Sequence, residues 1–269
     1  VAARRPPFHK LVGMIRFLVP AALLAAAAPA PAEDIPIGEL PDVARPTAYR
    51  LDLAIDPAQA DFAGTAEIDI ELKTGVTRLH LHGNGLKMLS AEAITGRMAP
   101  NLATYAEVHP TGVALVSFSR PLPAGRHTLR FRYTAPFMTG TSGLYKAVVQ
   151  DRPYAWTQFQ AIDARRVFPA FDEPRHKTPF TVSITAPAAM KAFANAPETA
   201  ATPVAGGMVK HQFAPIGPMP TYLAALAVGD FETVDAVIPP SAVRQTPLPF
   251  RAITTRGQAG RLATTMAET

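Results

Sequence analysis

The chain has 269 residues, 48% of them hydrophobic, which suffices for one large domain or two small ones around a proper core. Its formal charge of +5 suggests a nucleic-acid or acidic-membrane partner, but residues 1–32 hold Arg4, Arg5, Lys10 and Arg16 and no Asp or Glu. Taking those four away leaves 22 Lys and Arg against 21 Asp and Glu, so no nucleic-acid partner is expected. The absence of cysteine excludes structural disulfides, thiolate metal sites and thiol nucleophiles.

Residues 1–32 read as an export signal: a basic start, an apolar run from Phe17 to Ala28, and small residues ending at Ala30-Pro31-Ala32, with cleavage expected near Ala32. The run is too short for a membrane span, which needs about 20 apolar residues. An uncleaved anchor or a flexible Ala/Pro tail is the alternative. Pro41 to Pro46 is expected to be a loop.

Period-two alternation then begins. Ala66 to Leu72 sets Glu67, Asp69 and Glu71 on one face and aliphatics on the other, a half-buried strand. Thr77 to Gly83 repeats the pattern with Leu79 and Leu81 inward and Arg78, His80 and His82 outward. Two histidines on one face suggest a metal pair, but zinc needs three or four ligands, and a solvated strand face accounts for them better. Val113 to Phe118 and His127 to Tyr133 follow, separated by a Pro121–Gly125 turn. Arg130 and Arg132 share a face, where pairing with acids of a neighbouring strand is expected. After a loop over 134–142, further strands are expected over 180–185 and near 191–195, 209–213, 222–228 and 231–237, with a hairpin turn at Gly206-Gly207. The sum is an all-β domain with Pro-rich turns. At the end the period changes: Ala259, Leu262, Ala263 and Met266 form one apolar helix face.

Trp156 to Pro174, WTQFQAIDARRVFPAFDEP, stands apart. If 156–160 is extended, Trp156, Gln158 and Gln160 share one face and Thr157 and Phe159 the other. Two amides beside an indole are poor core material, because a buried amide without partners costs about 1–3 kcal/mol. They suit either a pocket wall or the solvated face of a half-buried strand, and composition does not decide between the two. Asp163, Arg165, Asp172 and Glu173 are read as structural, since acids and bases around proline turns more often fix a loop than perform catalysis.

This stretch resembles the signature near the end of the N-terminal β domain in the aminopeptidase N family of zinc metallopeptidases. The matching pieces are Thr157-Gln158-Phe159-Gln160, Asp163-Ala164-Arg165, Phe168-Pro169 and Asp172-Glu173-Pro174, in the same order and spacing. Gly143-Leu144-Tyr145, Pro220 to Leu223 and Val228 to Phe231 agree, and the similarity runs roughly from Leu40 to Glu268. The resemblance implies a parent that holds zinc on an H-E-x-x-H helix, uses the intervening Glu as general base and hydrolyses the first peptide bond. None of the seven histidines here is followed by Glu, and the family's G-A-M-E-N segment and transition-state Tyr are missing too. Zinc is therefore expected in the parent enzyme and not in this chain, which by itself should be inactive. The resemblance also assigns Gln158 and Gln160 to the substrate's first subsite. Physically, an α-ammonium offers three donors and a Gln carbonyl oxygen is an acceptor. Gly140 to Leu144 lacks the G-x-S-x-G spacing, and Gly83-Asn84-Gly85 is no dinucleotide fingerprint.

The expected organisation is an export signal over 1–32, a saddle-like β-sandwich domain of many short strands over 33–252, and over 253–269 a linker with the first helix of a truncated catalytic domain. The expected function is the N-terminal domain of an exported, periplasmic zinc aminopeptidase that meets the peptide N-terminus together with the missing catalytic domain, with no membrane span after cleavage. The alternative is a non-catalytic β-domain scaffold or binding module.

Overall fold

A computed structural model describes residues 1–3 and 34–262. The expected leader therefore lies outside the described residues apart from its first three, and so do Ala263 and Met266 of the expected helix face. Among the described residues the chain is almost entirely β. Its strands are β1 (Ala44–Ala54), β2 (Asp61–Leu72), β3 (Val76–His82), β4 (Lys87–Ile94), β5 (Asn101–His109), β6 (Val113–Leu122), β7 (Gly125–Pro136), β8 (Gly143–Val149) and β9 (Arg152–Gln158). Then come β10 (Thr178–Pro187), β11 (Lys191–Ala194), β12 (Glu198–Val204), β13 (Met208–Phe213), β14 (Ile216–Met219), β15 (Leu226–Gly229), β16 (Phe231–Ile238) and β17 (Leu248–Thr255).

A broad sheet runs in the order β12-β13-β10-β1-β2-β7-β4-β5-β6-β3, with β14 paired to β10. A four-stranded sheet runs β11-β15-β9-β8, and β16 with β17 makes a separate hairpin. β1 and β10 pair in parallel within an otherwise antiparallel sheet, with Tyr49 opposite Phe180. Their rings stack at 4.7 Å and 7°.

β2 shows why the alternation was readable. Every second residue is buried along its full length, and Ile68 and Ile70 are fully enclosed. Its other face carries acids into a charge row that crosses four strands. Arg50 Nε reaches Glu67 at 2.8 Å, Arg130 Nε reaches the other Glu67 oxygen at 2.7 Å, and Arg130 Nη1 reaches Glu92 at 3.0 Å. Burial alone would raise the Glu67 carboxyl, but the two guanidinium groups outweigh it and hold the group below its ordinary range. This is the cross-strand pairing expected for Arg130. At the Gly206-Gly207 turn both residues take positive φ, +79° and +70°, as glycine does without cost.

Several local expectations change. His82 was expected outward beside His80, yet it is 1% exposed. The segment carrying Ala170 pairs with the His82 backbone at the edge of β3, and the Asp172 N–H donates to the His82 ring. Residues 222–228 were expected to form one strand; a 3-10 turn occupies Thr221–Leu223 and β15 begins at Leu226. The Thr221 hydroxyl is drawn inward to the Asp172 carboxylate, which bends the chain there. β1 begins at Ala44, inside the loop expected over 41–46. β17 carries the chain across position 252 to Thr255, and residues 259–262 are helical.

Candidate functional site

β9 is the central feature of the small sheet, hydrogen-bonded to β8 on one side and β15 on the other. It stops at Gln158, two residues short of the expected end, and the chain continues with Phe159 as a buried anchor, 1% exposed. Its ring meets Phe168 edge-on at 6.0 Å, and Phe168 in turn meets Tyr49 and Phe180. With Phe159 driven inward, the residues on either side, Gln158 and Gln160, both emerge into solvent. Gln158 Oε1 accepts the Gln160 backbone N–H at 3.4 Å. Among the described residues no protein group bonds the Gln160 amide, so its acceptor and donors are available. Thr157, on the opposite side, exchanges two hydrogen bonds with Leu226 and pins β9 to β15.

Gln158 and Gln160 are thus both exposed and joined by one hydrogen bond, although the extended run expected over 156–160 ends at Gln158, and the Trp156 ring is engaged elsewhere. Trp156 packs edge-on against Phe231 at 4.8 Å and beside Tyr154 at 6.3 Å.

Of the acids and bases that follow, Arg165 and Asp172 form a buried network with His82 and Thr221, while Glu173 and Asp163 make separate pairs. Arg165 and Asp172 are 7% and 1% exposed. Arg165 Nε donates to Asp172 Oδ2 at 3.0 Å, Nη1 to the Thr111 carbonyl at 2.8 Å and Nη2 to the Asp172 carbonyl at 3.1 Å. The Thr221 hydroxyl donates to Asp172 Oδ1, and the Asp172 N–H donates to His82 Nδ1 at 3.1 Å. Burial and the nearby Arg165 charge push the His82 imidazolium pKa down to about 3, so the ring is neutral and acts as an acceptor. Glu173 accepts the Leu40 N–H and the Arg175 guanidinium. Asp163 takes Arg166 Nε at 2.7 Å. A cavity of about 580 Å³ lies against this network, with Ile37, Ile162 and Arg175 in its wall. Gln158 and Gln160 do not line it. His82 was the residue that local reading missed as part of this network.

The described residues make up an all-β module with a buried Arg165–Asp172 network and an exposed pair of amides at the end of β9. Residues 45–223 match the model of the Peptidase M1 N-terminal domain, and the chain belongs to that family, the N-terminal domain of a family of peptidases. It is 29% identical over 202 residues to an aminopeptidase N of Acetobacter pasteurianus, covering 73% of this chain and 56% of that protein. It is 30% identical over 205 residues to aminopeptidase M1-D of Oryza sativa subsp. japonica, 74% of this chain and 23% of that protein. It is 28% identical over 238 residues to a puromycin-sensitive aminopeptidase of Caenorhabditis elegans, 86% of this chain and 25% of that protein. The chain thus spans between 23% and 56% of the length of these relatives. Among the described residues no helix is long and apolar enough to cross a membrane.

Proposed function

We propose that this chain is the N-terminal β domain of a zinc-dependent aminopeptidase that is exported to a bacterial periplasm, and that Gln158 and Gln160 accept hydrogen bonds from the α-ammonium of the peptide substrate. The observation that carries this reading is the emergence of both amides from either side of a buried Phe159, with the acceptor of Gln160 unspent. A neutral amide supplies a hydrogen bond without a full charge, so the rest of the amine's recognition falls to groups outside this chain.

The described residues of this chain do not suit zinc. There is no H-E-x-x-H and no cysteine, and among the described residues no three His, Asp or Glu side chains converge. The metal and the general base would come from outside this chain. The protein made from its full reading frame is expected to hydrolyse an aminoacyl p-nitroanilide, to lose that activity to a zinc chelator and to regain it on adding zinc. Absence of hydrolysis in the zinc-loaded protein would overturn the enzyme reading and leave the scaffold.

A further inference from the structure

At the end of β9 opposite the glutamines, several groups converge on the three residues Asp230-Phe231-Glu232. The Asp230 carboxylate takes Arg152 Nη1, from the first residue of β9, at 2.6 Å. It also takes Arg256 Nη1, from the residue following β17, at 3.1 and 3.2 Å. The Asp230 carbonyl accepts the Tyr154 hydroxyl at 3.1 Å, and that same hydroxyl accepts the Arg256 backbone N–H at 3.2 Å. Phe231 fills the space between, 5.1 Å from the Tyr154 ring and 4.8 Å from Trp156. The fit is close: a β-carbon on Gly229 would lie 2.2 Å from Tyr154 Cδ1.

Glu232 reaches the other way. Its Oε2 accepts the Ala259 N–H at 3.1 Å, where the helix begins. The backbone N–H groups of Gly257, Ala259 and Gln258 together hold its carboxyl below the ordinary range. The first N–H groups of a helix have no partner within it, and an acid there satisfies them and suits the helix dipole. A helix is ordinarily capped by the residue just before it. Here the cap comes from β16, 27 residues earlier and opposite Thr254 of β17, so it fixes where the helix starts relative to the β16–β17 hairpin, which Asp230 in turn ties to β9. An isolated exposed ion pair contributes about 0–1 kcal/mol and fixes little. This one is tied to a fully buried tyrosine, to two backbone bonds and to a ring cluster.

We propose that Asp230 and Glu232 form a clasp that holds the start of the helix at Ala259 in a set relation to β9, and so to Gln158 and Gln160. They are positioning residues, and their consequence for substrate binding rests on the role of the glutamines proposed above. Because the chain has no cysteine, a spin-label pair can be placed uniquely, with V148C on exposed β8 and R261C on the helix. Pulsed EPR of that pair in the 269-residue chain is expected to give one narrow distance, broadened when Asp230→Asn and Glu232→Gln are combined. Asp235→Asn, which breaks the Asp235–Arg251 pair elsewhere on the same hairpin, is expected to leave it narrow. An unchanged distance in the double variant would overturn the clasp, as would equal broadening with Asp235→Asn, since the hairpin would then simply have loosened. In the full-reading-frame protein the double variant should raise KM about threefold to tenfold, the range set by one lost hydrogen bond, with kcat within about twofold. A broadened distance with unchanged KM would overturn the positioning role. If the unsubstituted protein hydrolyses nothing, the function proposed for the glutamines falls, while the distance measurement still decides the clasp.

Discussion

Replacing Asp172 by alanine is expected to cost about 3–5 kcal/mol of folding stability, the magnitude found when one partner of a buried ion pair is removed and the other charge is left behind. Every polar atom of Asp172 is engaged: one carboxylate oxygen with Arg165, the other with Thr221, the N–H with His82 and the carbonyl with Arg165 again. Without the carboxylate, the Arg165 guanidinium would keep two carbonyl acceptors and no counter-charge, at 7% exposure. Asp172→Asn keeps the shape and part of the bonding and should cost less than the alanine variant. Urea unfolding checks both, with a lower midpoint expected at unchanged slope. A loss below about 1 kcal/mol in the alanine variant, the level of an exposed pair, would mean that the cluster does not hold the loop, and would reopen a catalytic reading of Asp172.

Phe159→Ala is expected to be comparably damaging, about 3–5 kcal/mol, because it empties a fully packed aromatic site that has no room to collapse. Phe159 touches Phe168, which is wedged against Tyr49 and Phe180, and the Tyr49 hydroxyl in turn accepts the Phe171 N–H at 2.9 Å. One ring therefore ties the exposed glutamines to the parallel β1–β10 pair of the broad sheet. Thermal or urea unfolding measures the loss, and Phe159→Leu should recover most of it, because volume is the main quantity restored. If Phe159→Ala left stability within about 0.5 kcal/mol, the level of an indifferent surface change, the anchoring of Gln158 and Gln160 would have to be sought elsewhere.

Much of the fold was legible because strands with one buried face alternate strictly. β2, β7 and β10 show it, and the residues facing out from β2 and β7 supply the charge row predicted for Arg130. β12 was not legible: it is an edge strand of Ala, Thr and Pro that is exposed nearly throughout, so neither face leaves a hydrophobic mark. The misreadings at His82 and Trp156 have one origin, contacts between residues far apart in sequence. His82 follows the outward phase of β3, but Ala170, 88 residues later, pairs with its backbone and Asp172 bonds its ring. Trp156 faces as its period requires, but Phe231 takes up its ring. The clasp joins Arg152 to Asp230 across 78 residues, which no local pattern encodes. The cost of burying amides left Gln158 and Gln160 open between a pocket wall and a solvated strand face, and only the resemblance singled them out; the structure adds the buried residue between them, with both exposed on either side of it.

The most direct measurement is steady-state kinetics on an aminoacyl p-nitroanilide for the full-reading-frame protein and its Gln158→Ala, Gln160→Ala and Gln160→Glu variants. A hydrogen bond to a charged group contributes about 1.5–3 kcal/mol, so each alanine variant should raise KM about tenfold to a hundredfold while unfolding within about 0.5 kcal/mol of the parent. Gln160→Glu, which sets a full negative charge against the ammonium, should lower KM. Alanine variants with unchanged KM, at unchanged stability, would contradict the assignment of these two glutamines to the substrate's amino terminus.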